Sequence, residues 1–142
     1  EGDTIKITHK SNAGWSLGGF KGAVVTVTAP SFSSLVAASG SDVTGRDLRF
    51  TDLEARASGG ADMTLSGQCR SLDAEASGGS DFHGDNLRCE TVTVVTSGGA
   101  DANVYATGKV SARASGGSDI RILGNPAAID KNTSGGADIR IS

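Results

Sequence analysis

Aspartates recur along the chain at Asp42, Asp62, Asp81, Asp101, Asp119 and Asp138, at intervals of 20, 19, 20, 18 and 19 residues. Carboxylates repeated at a near-constant period suggest one chemistry first, a ladder of calcium sites, because calcium takes about six to eight oxygen ligands. The glycine-rich calcium β-roll, however, repeats G-G-x-G-x-D-x-U-x about every nine residues. Here the interval is doubled and the glycine at the fourth position of that phrase is missing. Each aspartate instead closes a short phrase: Ser58-Gly59-Gly60-Ala61-Asp62, Ser77-Gly78-Gly79-Ser80-Asp81, Ser97-Gly98-Gly99-Ala100-Asp101, Ser115-Gly116-Gly117-Ser118-Asp119 and Ser134-Gly135-Gly136-Ala137-Asp138. These phrases read as structural corners. Paired glycines allow positive φ and a sharp bend, and the flanking serine and aspartate can accept hydrogen bonds from nearby backbone N–H groups. On this reading no metal and no cofactor is expected.

The other reactive residues are sparse. Cys69 and Cys89 each lie eight residues before a repeat serine, which puts them in one column of neighbouring coils and within disulfide reach. A bridge and a pair of buried free thiols are both consistent with that placement. Without a C-x-x-C pair, zinc is not expected. His9 and His83 fall in different parts of the chain, and His83 shares an outward position with Thr44, Thr64, Asn103, Arg121 and Arg140. The single long loop, from Ser11 to Gly22, holds Trp15 and Phe20; it reads either as a binding tip or as a cover over the open end of the core. No catalytic constellation emerges, so the chain reads as a non-enzyme.

Composition narrows the class further. The chain has 142 residues, net charge −3, 21 glycines and only 4 Phe, 1 Tyr and 1 Trp. Its core must therefore be narrow and filled with Ala, Val, Leu and Ile. With no basic run, nucleic acid is not an expected partner. No stretch approaches the roughly 18 apolar residues of a membrane-spanning helix. Thr4-Ile5-Lys6-Ile7-Thr8 already alternates by the fourth residue, so a leader or earlier segment is expected ahead of Glu1.

The elements that must position these residues follow from the period. About nineteen residues is too short for a helical-hairpin repeat and fits a parallel β-solenoid. Counting back from each repeat serine, the fifth residue is Leu53, Leu72, Val92, Val110 or Ile129, the third is Ala55, Ala74, Val94, Ala112 or Lys131, and the first is Ala57, Ala76, Thr96, Ala114 or Thr133. Polar residues lie between them, as on a half-buried strand. A second alternating strand follows each aspartate, and a shorter third one is assigned to Leu48 and Phe50, Leu87 and Cys89, and Tyr105 and Thr107. The expectation is an all-β parallel β-helix with about 19 residues and three short strands per coil. It forms a single domain over 1–142, with N-terminal strands and a loop in 1–30 and repeated coils in 31–142. The residue before each aspartate alternates strictly, Ser41, Ala61, Ser80, Ala100, Ser118, Ala137.

The stretches V-A-A-S-G-S-D-V (36–43), A-S-G-G-S-D-I-R-I-L-G-N-P (114–126) and S-G-G-A-D-I-R-I (134–141), with G-D-T-I-K-I (2–7) and V-V-T-V-T-A-P (24–30) ahead of them, resemble the putative auto-transporter adhesin head GIN domain family. The resemblance implies a right-handed β-helix exported to the periplasm, the outer membrane or the cell surface. It transfers no catalytic residue. The functional expectation is a non-catalytic, adhesin-like envelope protein presenting a rigid face to a glycan or protein ligand. The alternatives are a carbohydrate-active β-helix enzyme, recognisable by carboxylates converging on a groove along the Thr64, His83, Asn103, Arg121 column, and a scaffold that self-associates through its coil ends.

Overall fold

The computed structural model describes residues 4–8, 24–27 and 34–142. Its strands are β1 (Thr4–Thr8), β2 (Val24–Val27), β3 (Ser34–Ala38), β4 (Asp42–Ser58), β5 (Asp62–Ser77), β6 (Asp81–Ser97), β7 (Asp101–Gly116), β8 (Asp119–Gly124), β9 (Ala128–Gly135) and β10 (Asp138–Ile141). They form one sheet, and the pairings from β1 with β3 through β7 with β9 are all parallel. The molecule is a solenoid of about 6 turns at a spacing of ~19 residues. β1 and β2 occupy the same columns as the later coils, Ile5 beside Leu35 and Val25 beside Val43.

Alternation explains why these segments are strands and where they face. Leu53, Ala55 and Ala57 are buried, as are their column partners Leu72, Ala74 and Ala76, then Val92, Val94 and Thr96, then Val110, Ala112 and Ala114. The opposite wall is Val43, Met63, Phe82, Ala102 and Ile120. Removing each larger aliphatic from water contributes about 1.5–3 kcal/mol, and the narrow shaft explains the preference for small ones. Phe82, the one fully buried aromatic ring among the described residues, fits because Gly84 follows it on the same face: a Cβ at Gly84 would stand 2.7 Å from the Phe82 ring. In the last coil the columns lose their cover. Ile129 is 37% exposed and Lys131 and Thr133 are exposed, although all three remain in register with Val110, Ala112 and Ala114.

The three expected strands of a coil run into one another. Each of β4 to β7 continues from its aspartate to the next serine or beyond, and coil-length differences are absorbed by register slips at Gly45/Leu48, Thr64/Ser66, Gly84/Arg88 and Cys89/Thr91. Those slips correct one assignment. Tyr105 pairs with Arg88, and Ala106 pairs with Cys89, so Ala106 is the buried residue, whereas Tyr105 is half-buried and Thr107 exposed. The 18-residue coil is too short to carry the third strand in the phase assumed from its longer neighbours.

Corner chemistry also differs from expectation. The first glycine of each phrase has positive φ, from 65° at Gly59 to 78° at Gly116, and it lies close to the coil beneath, which is why a residue with Cβ is disfavoured there. The side chains that close the corners are the buried serines before alternate aspartates. Ser80 Oγ accepts from Ser77 N at 2.9 Å and donates toward Ala57 O and Ser77 O. Ser41 pairs with Ala38 N and O, and Ser118 with Ser115 N and O and with Thr96 Oγ1. The repeat aspartates play little part in capping: Asp101 Oδ1 accepts from Asp119 N in the next coil at 3.1 Å, and Asp138 turns to Arg140. The Ser/Ala alternation therefore gives every second coil a buried hydroxyl that ties the corner to itself or to the coil below.

Candidate functional site

Two outward columns meet on the strand that follows each corner. The aspartates form the first, Asp42↔Asp62↔Asp81↔Asp101↔Asp119↔Asp138, and Thr44↔Thr64↔His83↔Asn103↔Arg121↔Arg140 the second. Because strand side chains alternate, residues i and i+2 share a face, so each aspartate sits beside the second-column residue of its own coil. Toward the C-terminal end the two columns enclose a groove of about 210 Å³ lined by Asp81, Asp101, Asp119, His83, Asn103, Arg121, Arg140 and Ile120. The sequence assigns the repeat aspartates to structural corners, in preference to a calcium ladder or a carboxylate-lined groove. Period-2 alternation was the signal that they also border the His83 column.

Most of the side chains that line the groove are polar or charged, and several of them are held by hydrogen bonds. Asn103 Nδ2 lies 3.4 Å from His83 Nδ1. Arg121 Nε donates to Ser142 Oγ at 3.0 Å, and Arg140 Nε to Asp138 Oδ2 at 2.7 Å. That hydrogen bond, together with the charges of Asp138 and Asp119, raises the Arg140 pKa above its ordinary value. Such an array offers planar acceptors and donors fixed at coil spacing. Among the described residues no group of three or more His, Cys, Asp or Glu side chains is placed to hold a metal ion.

Other residues singled out in the sequence are placed as follows. Cys69 and Cys89 are paired in register and joined by a disulfide, with Cα atoms 4.5 Å apart. Ser58, Gly59, Gly60 and Asp62, and their counterparts in later coils, lie where one strand ends and the next begins. His9, Trp15 and Phe20 lie outside the described residues.

A family model described as putative auto-transporter adhesin, head GIN domain, matches residues 1–126. The crystal structure of a putative adhesin from Bacteroides fragilis NCTC 9343 superposes with a TM-score of 0.63 at 18% identity, covering 82% of this chain and 60% of that one. The present chain thus spans about 60% of that protein's length, and the likeness is one of fold. No curated protein matches the chain.

Proposed function

The chain belongs to the putative auto-transporter adhesin, head GIN domain family, and on that premise we propose that this adhesin-like protein is a non-catalytic component of a bacterial envelope whose coil stack presents a rigid binding face to a glycan or protein ligand. The observation that carries the proposal is the register of the outward columns. Backbone ladders hold His83, Asn103, Arg121 and Arg140 in successive coils, so the face needs little ordering on binding and loses little entropy there. The groove is shallow and bordered by exposed Asp101, Asp119 and Arg121. An open, wet surface suits recognition, whereas catalysis gains most where water is excluded. Export is supported by the Cys69–Cys89 disulfide, since structural disulfides persist in oxidising compartments.

The test is an array of surface glycans and matrix proteins probed with the whole chain, in parallel with an Asn103→Ala/Arg121→Ala variant of unchanged melting temperature. Binding that the variant loses supports the reading. Silence across the array, or equal binding by the variant, removes this groove as the face.

The aspartates that border the His83 groove favour a second reading, a carbohydrate-active enzyme. Incubation with polysaccharides decides it. Reducing ends released by the native chain and lost in Asp101→Asn would replace the first reading with the second.

A further inference from the structure

A second outward face, on the far side of the register slips, is built from arginines. Arg49, Gln68, Arg88 and Tyr105 form one column, and Arg70 lies two residues beyond Gln68 on the same face, beside Thr51 and Glu90. Two adjoining grooves of about 440 and 380 Å³ share Arg49 and Gln68; the first is lined also by Phe50, Cys69, Arg70 and Glu90, the second by Asp47, Asn86 and Arg88. Together they make one trough across three coils.

Three arginines line it against two carboxylates, Glu90 and Asp47. The net charge is −3, yet none of Arg49, Arg70 and Arg88 has a carboxylate partner among the described residues, where the ion pairs are Arg56 with Glu54 and Glu75, and Arg140 with Asp138. Arg88 instead lies over the Tyr105 ring, 5.3 Å from its centroid, a cation–π contact that leaves guanidinium N–H groups available to donate. Half-buried Phe50 and Cys69 form an apolar floor packed against the core, and the Cys69–Cys89 disulfide stiffens it.

From this arrangement we infer that the Arg49–Arg70–Arg88 trough binds a linear acidic glycan through carboxylates spaced one per disaccharide. Each guanidinium presents a fork of donors matched to a carboxylate. One coil separates Arg49 from Arg88, so the two lie about twice the 4.8 Å strand spacing apart, roughly 9.6 Å, comparable to a disaccharide step. Gln68 stands between them as a neutral donor and acceptor for the intervening sugar's hydroxyls, and Phe50 offers its C–H faces an apolar bed. Glu90 and Asp47 border the trough. They repel a dense polyanion while leaving separated carboxylates a place, which argues against nucleic acid, with its roughly one charge per 1.7 Å of duplex.

The inference rests on the proposed binding role and names a ligand class for a different face. Its test titrates the whole oxidised chain with a hyaluronan decasaccharide, using dextran and a matched-length polyglutamate as controls. The expectation is binding to hyaluronan alone, weakened about tenfold by each of Arg49→Gln and Arg88→Gln, as loss of a charge-assisted hydrogen bond implies, with melting temperature unchanged. Absence of hyaluronan binding, equal affinity for dextran or polyglutamate, or full affinity in both arginine variants overturns it. The envelope-binding reading is judged separately: array ligands lost with Asn103→Ala/Arg121→Ala but kept with the arginine variants sustain that reading while sinking this one.

Discussion

The corner phrase contains two adjacent glycines that should respond in opposite ways to the same methyl group. Gly116 has φ of 78°, and a Cβ there would stand 2.7 Å from Gly98 O and 3.1 Å from Gly98 N. Gly117, one residue on, is outside the positive-φ set, and its Cβ would meet Gly98 O at 3.8 Å, an ordinary contact. Gly60 separates the two effects, with φ of 78° and open space around its Cβ. A left-handed conformation costs a non-glycine residue about 1–2 kcal/mol. Forcing atoms into packed backbone adds about 1–3 kcal/mol, and the smaller entropy of the unfolded alanine chain returns about 0.4–1 kcal/mol where no strain opposes it. Gly116→Ala should therefore lose about 3 kcal/mol, Gly60→Ala about 1 kcal/mol, and Gly117→Ala nothing or a slight gain. Thermal melts monitored by far-ultraviolet circular dichroism, at matched disulfide state, would show drops of roughly 6–12 °C and 2–4 °C and no drop, respectively. Equal destabilisation by Gly116→Ala and Gly117→Ala would refute the argument, because the motif would then need two glycines for a reason unrelated to φ and Cβ contact.

Ser118→Ala strands Ser115 N and Thr96 Oγ1 in a buried corner and should lower stability by about 1–3 kcal/mol. Adding Thr96→Val should recover part of that loss, so a double-mutant cycle by urea denaturation would give a coupling well away from zero. Reducing the Cys69–Cys89 bridge, which closes a separation of 20 residues, should cost about 3 kcal/mol by loop entropy; mass spectrometry of the unreduced, alkylated chain should show neither cysteine labelled. Millimolar calcium should leave the melting temperature unchanged, since no three carboxylates among the described residues converge on one point; a rise reversed by chelator would restore the ladder of calcium sites.

The period and the two alternating strands flanking each corner were legible because Asp42 through Asp138 mark every coil and the buried positions keep strict phase from Leu53 to Ala114. The third strand was not, since the slip between Gly84 and Arg88 shifts its phase in the shortest coil and no residue type announces where a slip falls. The closing role of Ser41, Ser80 and Ser118 showed only as an unexplained alternation with alanine, because a hydroxyl's partners depend on which way the corner folds. The arginine trough was hidden for a related reason: Arg49, Arg70 and Arg88 are 21 and 18 residues apart and acquire a common face only once the slips are known.

The slips also govern where the chain can change length. Coils of 18 to 20 residues stack without disturbing the shaft because nearly all the surplus chain is paid out at one edge, around Arg46, Asp47 and Asp85, while the remaining columns stay aligned. A residue inserted or removed at that edge would therefore leave the aligned columns and the shaft in place, much as a ratchet keeps its teeth while its handle is exchanged.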